Sequence, residues 1–486
     1  MMNFTDIIKA FVTGITHSVV SRVGAIMASV IFPVLLTATM LDMQGIIHNP
    51  YFGFVLYMVL GPLFILSLVL IFAGLFFFKG KEGVGYFTYE YLKEQFSAPE
   101  RFIRVRKLIV ICTALSVINI AIIVLISYEG YHFMESEDFC GGICHTAMAP
   151  EHTAYLNSPH SSVRCVECHI GPGAQWFIKS KISGARQLVA VALGNFSRPI
   201  ATPIHGLRPA RETCEECHRP ELFHGEKLYI KDKYLPDEQN TNVQTVLLMK
   251  VGSGGYRGSK ANGIHWHVAP ENKITYKHQD KGRLEISEVT LAKPNGTMVD
   301  FKAPGADEAE EAKETGHQER IMDCLDCHNR PTHIYLSPNE ALDLKLNHGD
   351  IPLELPYIKK QGLAVISKDY KSSEEAKNNI ATELRAWYLQ NYPDVVKNNM
   401  ELLDKAIAGV QAAYAENVFP EMNINWNTYT NFLGHKNDSG CFRCHDESHE
   451  TSSGETISQD CDKCHIILAE DEPAPEVLKT LRGSNN

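Results

Sequence analysis

The chain has 486 residues, of which 44% are hydrophobic, and a formal net charge of -11 at pH 7. A chain of this length forms several domains, and its negative charge argues against binding to nucleic acid and favours basic partners. The composition is divided, because the N-terminal quarter is strongly apolar and the remainder is polar, acidic and rich in histidine.

The N-terminal quarter predicts a membrane anchor. Residues 1–22 carry apolar side chains at helical spacing and predict a short amphipathic helix on the cytoplasmic face. Three uncharged apolar runs follow, Val23–Leu41, Phe52–Phe78 and Leu108–Ser127. A spanning helix needs about 20 apolar residues, so the runs predict three transmembrane helices, at about 23–41, 52–78 and 108–127. The first run is also compatible with a buried core helix, because it is the shortest and includes Pro33.

The distribution of basic residues predicts the orientation of this anchor. The segment 79–107 is rich in Lys and Arg, whereas the segment 42–51 between the first two spans contains neither. The positive-inside rule therefore places 79–107 and the N-terminus in the cytoplasm of a bacterial cell. Everything after Tyr128 then lies on the periplasmic side of the cytoplasmic membrane. No small-residue cleavage site precedes the second span, so the first span is expected to remain as an anchor.

Six short motifs contain 12 of the 13 cysteines. The first reads CGGICH, and the other five have the form C-x-x-C-H, in which two thiols attach a haem covalently and the histidine binds its iron. The attachment candidates are Cys140, Cys144, Cys165, Cys168, Cys214, Cys217, Cys324, Cys327, Cys441, Cys444, Cys461 and Cys464. The proximal ligand candidates are His145, His169, His218, His328, His445 and His465. A zinc ribbon does not require a histidine after each pair, and disulfides between such close cysteines have poor geometry. We therefore predict six covalently bound c-type haems.

An apolar segment that includes several cations separates the second and third motifs. Its residues 171–203 predict a helix lying on the membrane surface, with Trp176 and Phe177 towards the lipid and Lys179, Lys181 and Arg186 near the phosphates. An ordinary amphipathic helix that covers the haems is the alternative.

The region after the third motif changes character. Alternating apolar residues predict a small β-rich subdomain over 225–303, including a strand with His265 and His267 on one side. Residues 305–319 are predicted to be helical or disordered, 337–416 to be helical, and 467–486 to form a disordered tail. The predicted fold is a mainly α multihaem cytochrome with three N-terminal transmembrane helices, a small β-rich insertion and a largely irregular, haem-packed outer domain.

A low-spin haem needs a second axial ligand. The distal candidates lie near motifs or in short turns: Met148, His160, His224, His265, His267, His333, His435 and His449. His17 and His48 flank the first span, and none of the three predicted spans contains a histidine, so the membrane part is predicted to bind no haem.

Several of these features occur together in one known family. They are His145 with Met148, NSPH at Asn157–His160, VRCVECH at 163–169, Lys179 with Lys181, Thr202-Pro203 and CEECH at Cys214–His218. This part of the chain resembles the NapC/NirT family of membrane-anchored multihaem quinol dehydrogenases. The whole architecture is similar to the inner-membrane quinol-oxidising cytochromes of metal-reducing bacteria, the ImcH type.

The resemblance implies that menaquinol or ubiquinol is oxidised at the periplasmic face and that electrons pass to periplasmic c-type cytochromes or a terminal reductase. The quinol-site candidates are then Trp176, Lys179, Lys181 and Arg186, with Lys179 and Lys181 as the catalytic pair. The expected surroundings are membrane lipid, the quinone pool and membrane partner subunits. Two alternatives remain at this point: an electron-transfer or anchoring subunit without its own quinol site, and a haem-based oxyanion reductase.

Overall fold

The computed structural model describes most of the chain, in two compact units, Met1–Cys144 and His145–Asn486. The described residues are 18–43, 59–76, 99–142, 145–171, 174–202, 208–219, 222–253, 260–278, 280–293, 295–306, 318–435 and 439–483. Most of the predicted amphipathic segment 1–22 lies outside them.

The N-terminal unit contains three described α-helices, α1 (Val19–Met43), α2 (Gly61–Phe76) and α3 (Pro99–Met134), and a short π-helix at Asp138–Gly142. Within the described residues, Val19–Ala38 of α1, with mean hydropathy 2.1, is long and apolar enough to cross a membrane, and Gly61–Gly74 is a shorter apolar helix. Three transmembrane helices therefore stay a prediction. Helix α3 begins at Pro99, inside the segment predicted as a loop, because Arg and Lys are good helix formers and extend the apolar run without a break.

Small residues allow α1 and α2 to pack closely. The Ser21 hydroxyl donates a hydrogen bond of 3.0 Å to the Ile71 carbonyl oxygen. A Cβ added to Gly24 would lie 2.6 Å from the Ser67 carbonyl oxygen, which leaves no room for a larger side chain there. This is the packing expected between helices in lipid, where close backbone approach replaces the hydrophobic effect.

The second unit begins with short helices around the first three motifs. They are α4 (His145–Leu156), α5 (Cys165–His169), α6 (Ala174–Ala192) and α7 (Ala210–Cys214). Five more helices occupy the segment 337–416 that the sequence predicts to be helical: α8 (Pro338–Asn347), α9 (Ile358–Ile366), α10 (Ser373–Asn391), α11 (Pro393–Asn398) and α12 (Met400–Ala415). Together these five form a helical subdomain.

The helical subdomain holds the largest apolar core of the described residues. Leu342, Ile380, Leu384, Leu403 and Val410 have no exposed surface. Their spacing along α8, α10 and α12 follows the period of a helix, which is why the sequence predicts these elements. Capping residues define the helix starts, because the Ser337 and Ser372 side chains accept hydrogen bonds from the first turns of α8 and α10.

The strands form two separate antiparallel sheets rather than one subdomain. The first has the order β1-β2-β7, with β1 (Lys227–Tyr234), β2 (Asn242–Met249) and β7 (His465–Glu472). The second has the order β5-β4-β3-β6, with β3 (Lys273–His278), β4 (Ile286–Ala292), β5 (Met298–Lys302) and β6 (Gln318–Ile321). Strand β6 begins within the segment 305–319 that was predicted to be helical or disordered, and residues 307–317 lie outside the described residues.

The predicted disordered tail over 467–486 is wrong for its described residues. Residues to Glu472 belong to strand β7, and Glu476–Arg482 form helix α13. Ala469 of β7 and Leu478 of α13 are buried against Val246 of β2. The acidic, proline-containing composition of this segment does not indicate a strand. The strand forms because it pairs with β2, more than 200 residues earlier in the chain.

Candidate haem sites

Each described C-x-x-C-H motif forms a tight helical turn. The backbone N–H of the motif histidine donates to the carbonyl oxygen of the first cysteine at 2.7 Å for His218, 2.8 Å for His328 and 3.1 Å for His445. A turn of this kind places residues three and four apart on one side, so both thiols and the imidazole face the same space. The first motif includes residues 143–144, which lie outside the described residues.

Four motif histidines lie opposite a second histidine from elsewhere in the chain. The ring centres are 6.1 Å apart for His169 and His333, 6.0 Å for His218 and His160, 5.8 Å for His445 and His267, and 6.1 Å for His465 and His435. An imidazole nitrogen binds a metal at about 2 Å, so two imidazoles on opposite sides of one iron have ring centres about 6 Å apart. These pairs fit bis-histidine haem iron.

A fifth motif histidine, His328, lies near His265. Burial lowers the pKa of His328, and the nearby His265 and His218 lower it further. Because His218 is itself a motif histidine paired with His160, His265 is the neighbour available as a second ligand for the iron bound by His328.

The hydrogen bonds of the non-motif histidines suit metal binding. Nδ1 donates to a backbone carbonyl oxygen in each of four of them: His160 to Pro331 at 3.1 Å, His265 to Val251 at 3.0 Å, His267 to Ile264 at 2.8 Å and His333 to Glu151 at 2.9 Å. A carbonyl oxygen can only accept, so Nδ1 carries the proton and Nε2 keeps the lone pair that a metal requires. The free lone pairs on Nε2 and the distances between ring centres therefore both fit histidine ligands of haem iron.

The segment GIHWH is a 3-10 helix at Ile264–Val268, which corrects the predicted strand. Such a helix has three residues per turn, so positions two apart point in different directions instead of to one side. His265 accordingly lies near His328, whereas His267 lies opposite His445. A single turn of helix thus brings one histidine close to each of two motif histidines.

Two distal candidates have other surroundings. His449 is buried, with Nδ1 2.9 Å from an Asp446 carboxylate oxygen and Nε2 3.1 Å from the Ile286 carbonyl oxygen. A hydrogen-bond acceptor thus lies against each ring nitrogen, which leaves neither nitrogen facing an open space for iron, so the structure speaks against His449 as a ligand. His224 is exposed and its Nδ1 donates to the Leu222 carbonyl oxygen at 3.0 Å. Met148 is half-buried in α4.

Consecutive motifs lie side by side from the second to the sixth. Cys168 of the second is a neighbour of Cys217 of the third, and Cys214 of the third shares a thiol hydrogen bond with Cys324 of the fourth. Burial raises the pKa of the Cys327 thiol to about 12, with a contribution from Cys441 of the fifth motif. Cys441 in turn lies near Cys464 of the sixth. The attachment sites therefore form a single file in chain order.

A buried charged cluster joins the fourth and fifth motifs. The Asp326 carboxylate, 2% exposed, accepts from the Tyr276 hydroxyl at 2.6 Å, Arg283 at 2.7 Å and Arg320 at 3.0 Å. Arg443 donates to the Asp326 carbonyl oxygen at 2.5 Å. Asp326 and Arg443 occupy variable positions inside C-x-x-C-H, so the motif form itself carried no signal for this contact.

Helix α6, between the second and third motifs, carries the predicted quinol-site residues. The Lys179 ammonium lies 4.9 Å from the centre of the Trp176 ring, and Arg186 is exposed. Trp176 is half-buried and packs against Gly171. The exposed stripe is aliphatic instead: Ile178, Ile182, Val189 and Leu193 are 57%, 68%, 59% and 75% exposed. Trp176 is therefore not part of the exposed face on which the sequence placed it, because its ring fills the space beside Gly171.

Attachment motifs in series, with histidine pairs at metal-binding distance, define a multihaem c-type cytochrome, a class that works in electron transport. The chain is 39% identical over 469 residues to the cytochrome c-type protein ImcH of Geobacter sulfurreducens, an alignment that covers 95% of this chain and 90% of that protein. It therefore belongs to the ImcH family of c-type cytochromes. No family model and no solved structure matches the chain.

Proposed function

We propose that this cytochrome oxidises a membrane quinol at the periplasmic face of the cytoplasmic membrane and delivers the electrons to a periplasmic acceptor, a c-type cytochrome or terminal reductase. Six covalently bound haems would supply one-electron redox chemistry along the file of motifs. The observation that carries the proposal is the exposed aliphatic stripe on α6, placed between two attachment motifs and flanked by cations.

The stripe has the pattern of a helix lying in a membrane surface. Ile178, Ile182 and Val189 are four and seven residues apart, which keeps them on one side of α6, and Leu193 follows directly after the helix. A row of exposed aliphatic side chains needs a cover, and acyl chains provide one, while the flanking lysines reach the headgroup phosphates. A quinol, which is itself dissolved in lipid, would then approach the haem-bearing unit at this helix.

The N-terminal unit supports a membrane location. Helix α3 continues through Leu108–Ser127 without interruption, and twenty helical residues span about 30 Å, the thickness of the hydrocarbon layer. The basic segment before Leu108 favours a cytoplasmic start for this helix and a periplasmic end. We therefore propose three spans, with the motifs on the outer side.

Lysines on α6 have a defined task in this proposal. A quinol loses two protons as it is oxidised, and an ammonium group stabilises the anion that deprotonation leaves. Lys179 is held over the Trp176 ring, so its ammonium has a restricted position next to the stripe. Lys181 and Arg186 provide further positive charge on the same helix.

The test replaces Lys179 and Lys181 with leucine in the reconstituted holoprotein. Reduction of the haem absorption bands by a quinol analogue should slow, whereas reduction by dithionite should not change. Unchanged quinol kinetics in both variants would remove the lysines from the mechanism. Quinol inactivity of the unaltered protein would instead favour the alternative role of an electron-transfer or anchoring subunit, with a partner protein covering the stripe.

A haem-based oxyanion reductase receives less support from the geometry. Such an enzyme needs an iron with an open position for its substrate. Each of the five motif histidines with described surroundings has a second histidine nearby, which suits electron transfer rather than substrate binding at iron.

A further inference from the structure

We propose that Glu151 is a positioning residue that lowers the reduction potential of the haem held between His169 and His333. It would do so through the negative charge of its carboxylate, which lies 3.1 Å from Nδ1 of His333. The inference rests on the haem ligation put forward above, and it concerns how these residues set the properties of one site within the file of motifs.

The contact joins two distant parts of the chain. Helix α4 carries Glu151, and the turn after the fourth motif carries His333. Nδ1 of His333 lies 2.9 Å from the Glu151 carbonyl oxygen and 3.1 Å from its carboxylate Oε2. The Glu151 side chain is 13% exposed and that of His333 28%, so water screens the contact between the carboxylate and the imidazole only weakly.

The carboxylate distinguishes His333 from the other proposed second ligands. Nδ1 of His160, His265 and His267 donates to backbone carbonyl oxygens, which are neutral dipoles. His333 makes the same kind of bond, to the Glu151 carbonyl oxygen, but a carboxylate oxygen of Glu151 also lies 3.1 Å from its Nδ1. The negative charge beside the Nδ1 proton makes Nε2 a more basic ligand. A more basic ligand stabilises the higher oxidation state of iron, so the potential of this site should lie below those of the others.

Neighbouring residues fix the turn that carries His333. The Arg330 guanidinium donates to the His333 carbonyl oxygen at 3.2 Å and lies 3.8 Å from the centre of the Tyr429 ring. Burial raises the pKa of Glu151, and the charge of Arg330 opposes that rise. The turn is also clamped, because the Asn329 side chain donates to the Thr430 carbonyl oxygen at 2.9 Å and accepts from the Phe432 N–H at 2.9 Å.

The experiment is a redox titration of the full-length holoprotein with Glu151→Gln, followed by absorption and electron paramagnetic resonance. Glutamine keeps the size of the side chain but removes its charge. The midpoint of one haem should rise while the other midpoints stay in place, and Glu151→Asp, which retains a shorter carboxylate, should shift it less. Glu340→Gln is the matched control, because that carboxyl group is bonded to Lys231 and Ser337 instead of to a histidine, and it should shift no midpoint.

Two outcomes would overturn the proposal: unchanged midpoints in Glu151→Gln at full haem content, or an equal shift of every haem, which would indicate a general structural change. The variant His333→Ala tests whether His333 binds iron at all, separately from any effect of Glu151 on the reduction potential. If that variant leaves all low-spin signals intact, His333 does not bind iron and the proposal fails at that point. None of these measurements uses quinol, so a failure of the proposed quinol activity would be seen separately.

Discussion

His265 and His267 are separated by one residue, yet they lie near different motif histidines, because the 3-10 helix that carries them turns their rings in different directions. His267 lies with its ring centre 5.8 Å from that of His445, and His265 lies beside His328. Trp266 between them packs against the core of the second sheet, which fixes the turn. One five-residue helix therefore carries the histidines that face two candidate haem sites.

We expect His267→Ala and His265→Ala each to convert one low-spin haem to a high-spin form, and the double variant to convert two. Each substitution removes one second ligand and leaves the covalent attachment intact. Electron paramagnetic resonance of the oxidised protein measures the number of low-spin haems. His449→Gln is the control, since both of its nitrogens are engaged in hydrogen bonds, and it should retain every low-spin signal. A single variant that alters two haems would contradict the assignment of separate ligands.

The aliphatic stripe of α6 predicts a second outcome. Replacing Ile182 and Val189 together with asparagine should slow haem reduction by quinol in lipid nanodiscs, because the helix would leave the membrane surface. Reduction by dithionite should be unaffected. Leu481→Asn on α13 removes another exposed leucine and provides the control. Equal quinol rates in all variants would show that the stripe has another cover, such as the haems or a partner subunit.

Glu340 predicts a pH-dependent contribution to stability. Burial would raise its pKa, but hydrogen bonds and charge from Lys231 and Ser337 lower it to about 2. A carboxyl group whose pKa is lower in the folded state stabilises that state at neutral pH. The contribution shrinks as the pH falls below the ordinary value near 4.5 and is lost below about 2.

Glu340→Gln should therefore lower the free energy of unfolding of the helical subdomain by roughly 1–3 kcal/mol at pH 7, measured by urea unfolding. The difference in unfolding free energy between this variant and the unaltered protein should become smaller as the pH falls from about 5 to about 2. Glu374→Gln, at an exposed position in the first turn of α10, should cost less than about 0.5 kcal/mol. A pH-independent difference would mean that packing, and not charge, explains the loss.

Quinol oxidation by this chain alone should be electroneutral. The three apolar runs contain no histidine for a haem inside the bilayer and no acid or base for a proton path, so electrons and protons would both leave on the outer side. Liposomes with this protein, a quinol and an external acceptor should turn over without building a membrane potential. A valinomycin-sensitive potential that follows turnover would show that charge crosses the bilayer.

The sequence predicts the local features of this molecule well. Spacing and periodicity are properties of neighbouring residues. They predicted the six motifs, the helices over 337–416 and a β-rich region within 225–303. His160, His265, His267, His333 and His435 were among the distal candidates, but their partners could not be assigned. His333 lies opposite His169, more than 160 residues earlier, and such a pairing depends on the folded chain.

Two further features had no local signal. Strand β7 forms because β2 provides a pairing edge, and the residues of β7 alone suggest a charged tail. The contact of Glu151 with His333 arises where α4 meets the turn after the fourth motif. Nothing in the sequence around Glu151 indicates that His333 will lie beside it, so Glu151 was not among the site candidates.

The proposed exchange of histidines between motifs would also constrain how the protein matures. In the proposed ligation, the second motif would receive its second histidine from a residue that follows the fourth motif, and the third would receive His160 from the segment before the second. In the proposed topology, the segments after the third span would reach the periplasm in chain order, so a haem could be attached at Cys165 and Cys168 long before His333 arrives. That haem would then wait with one protein ligand, open to small molecules, until the later part of the chain is exported and folds back onto it.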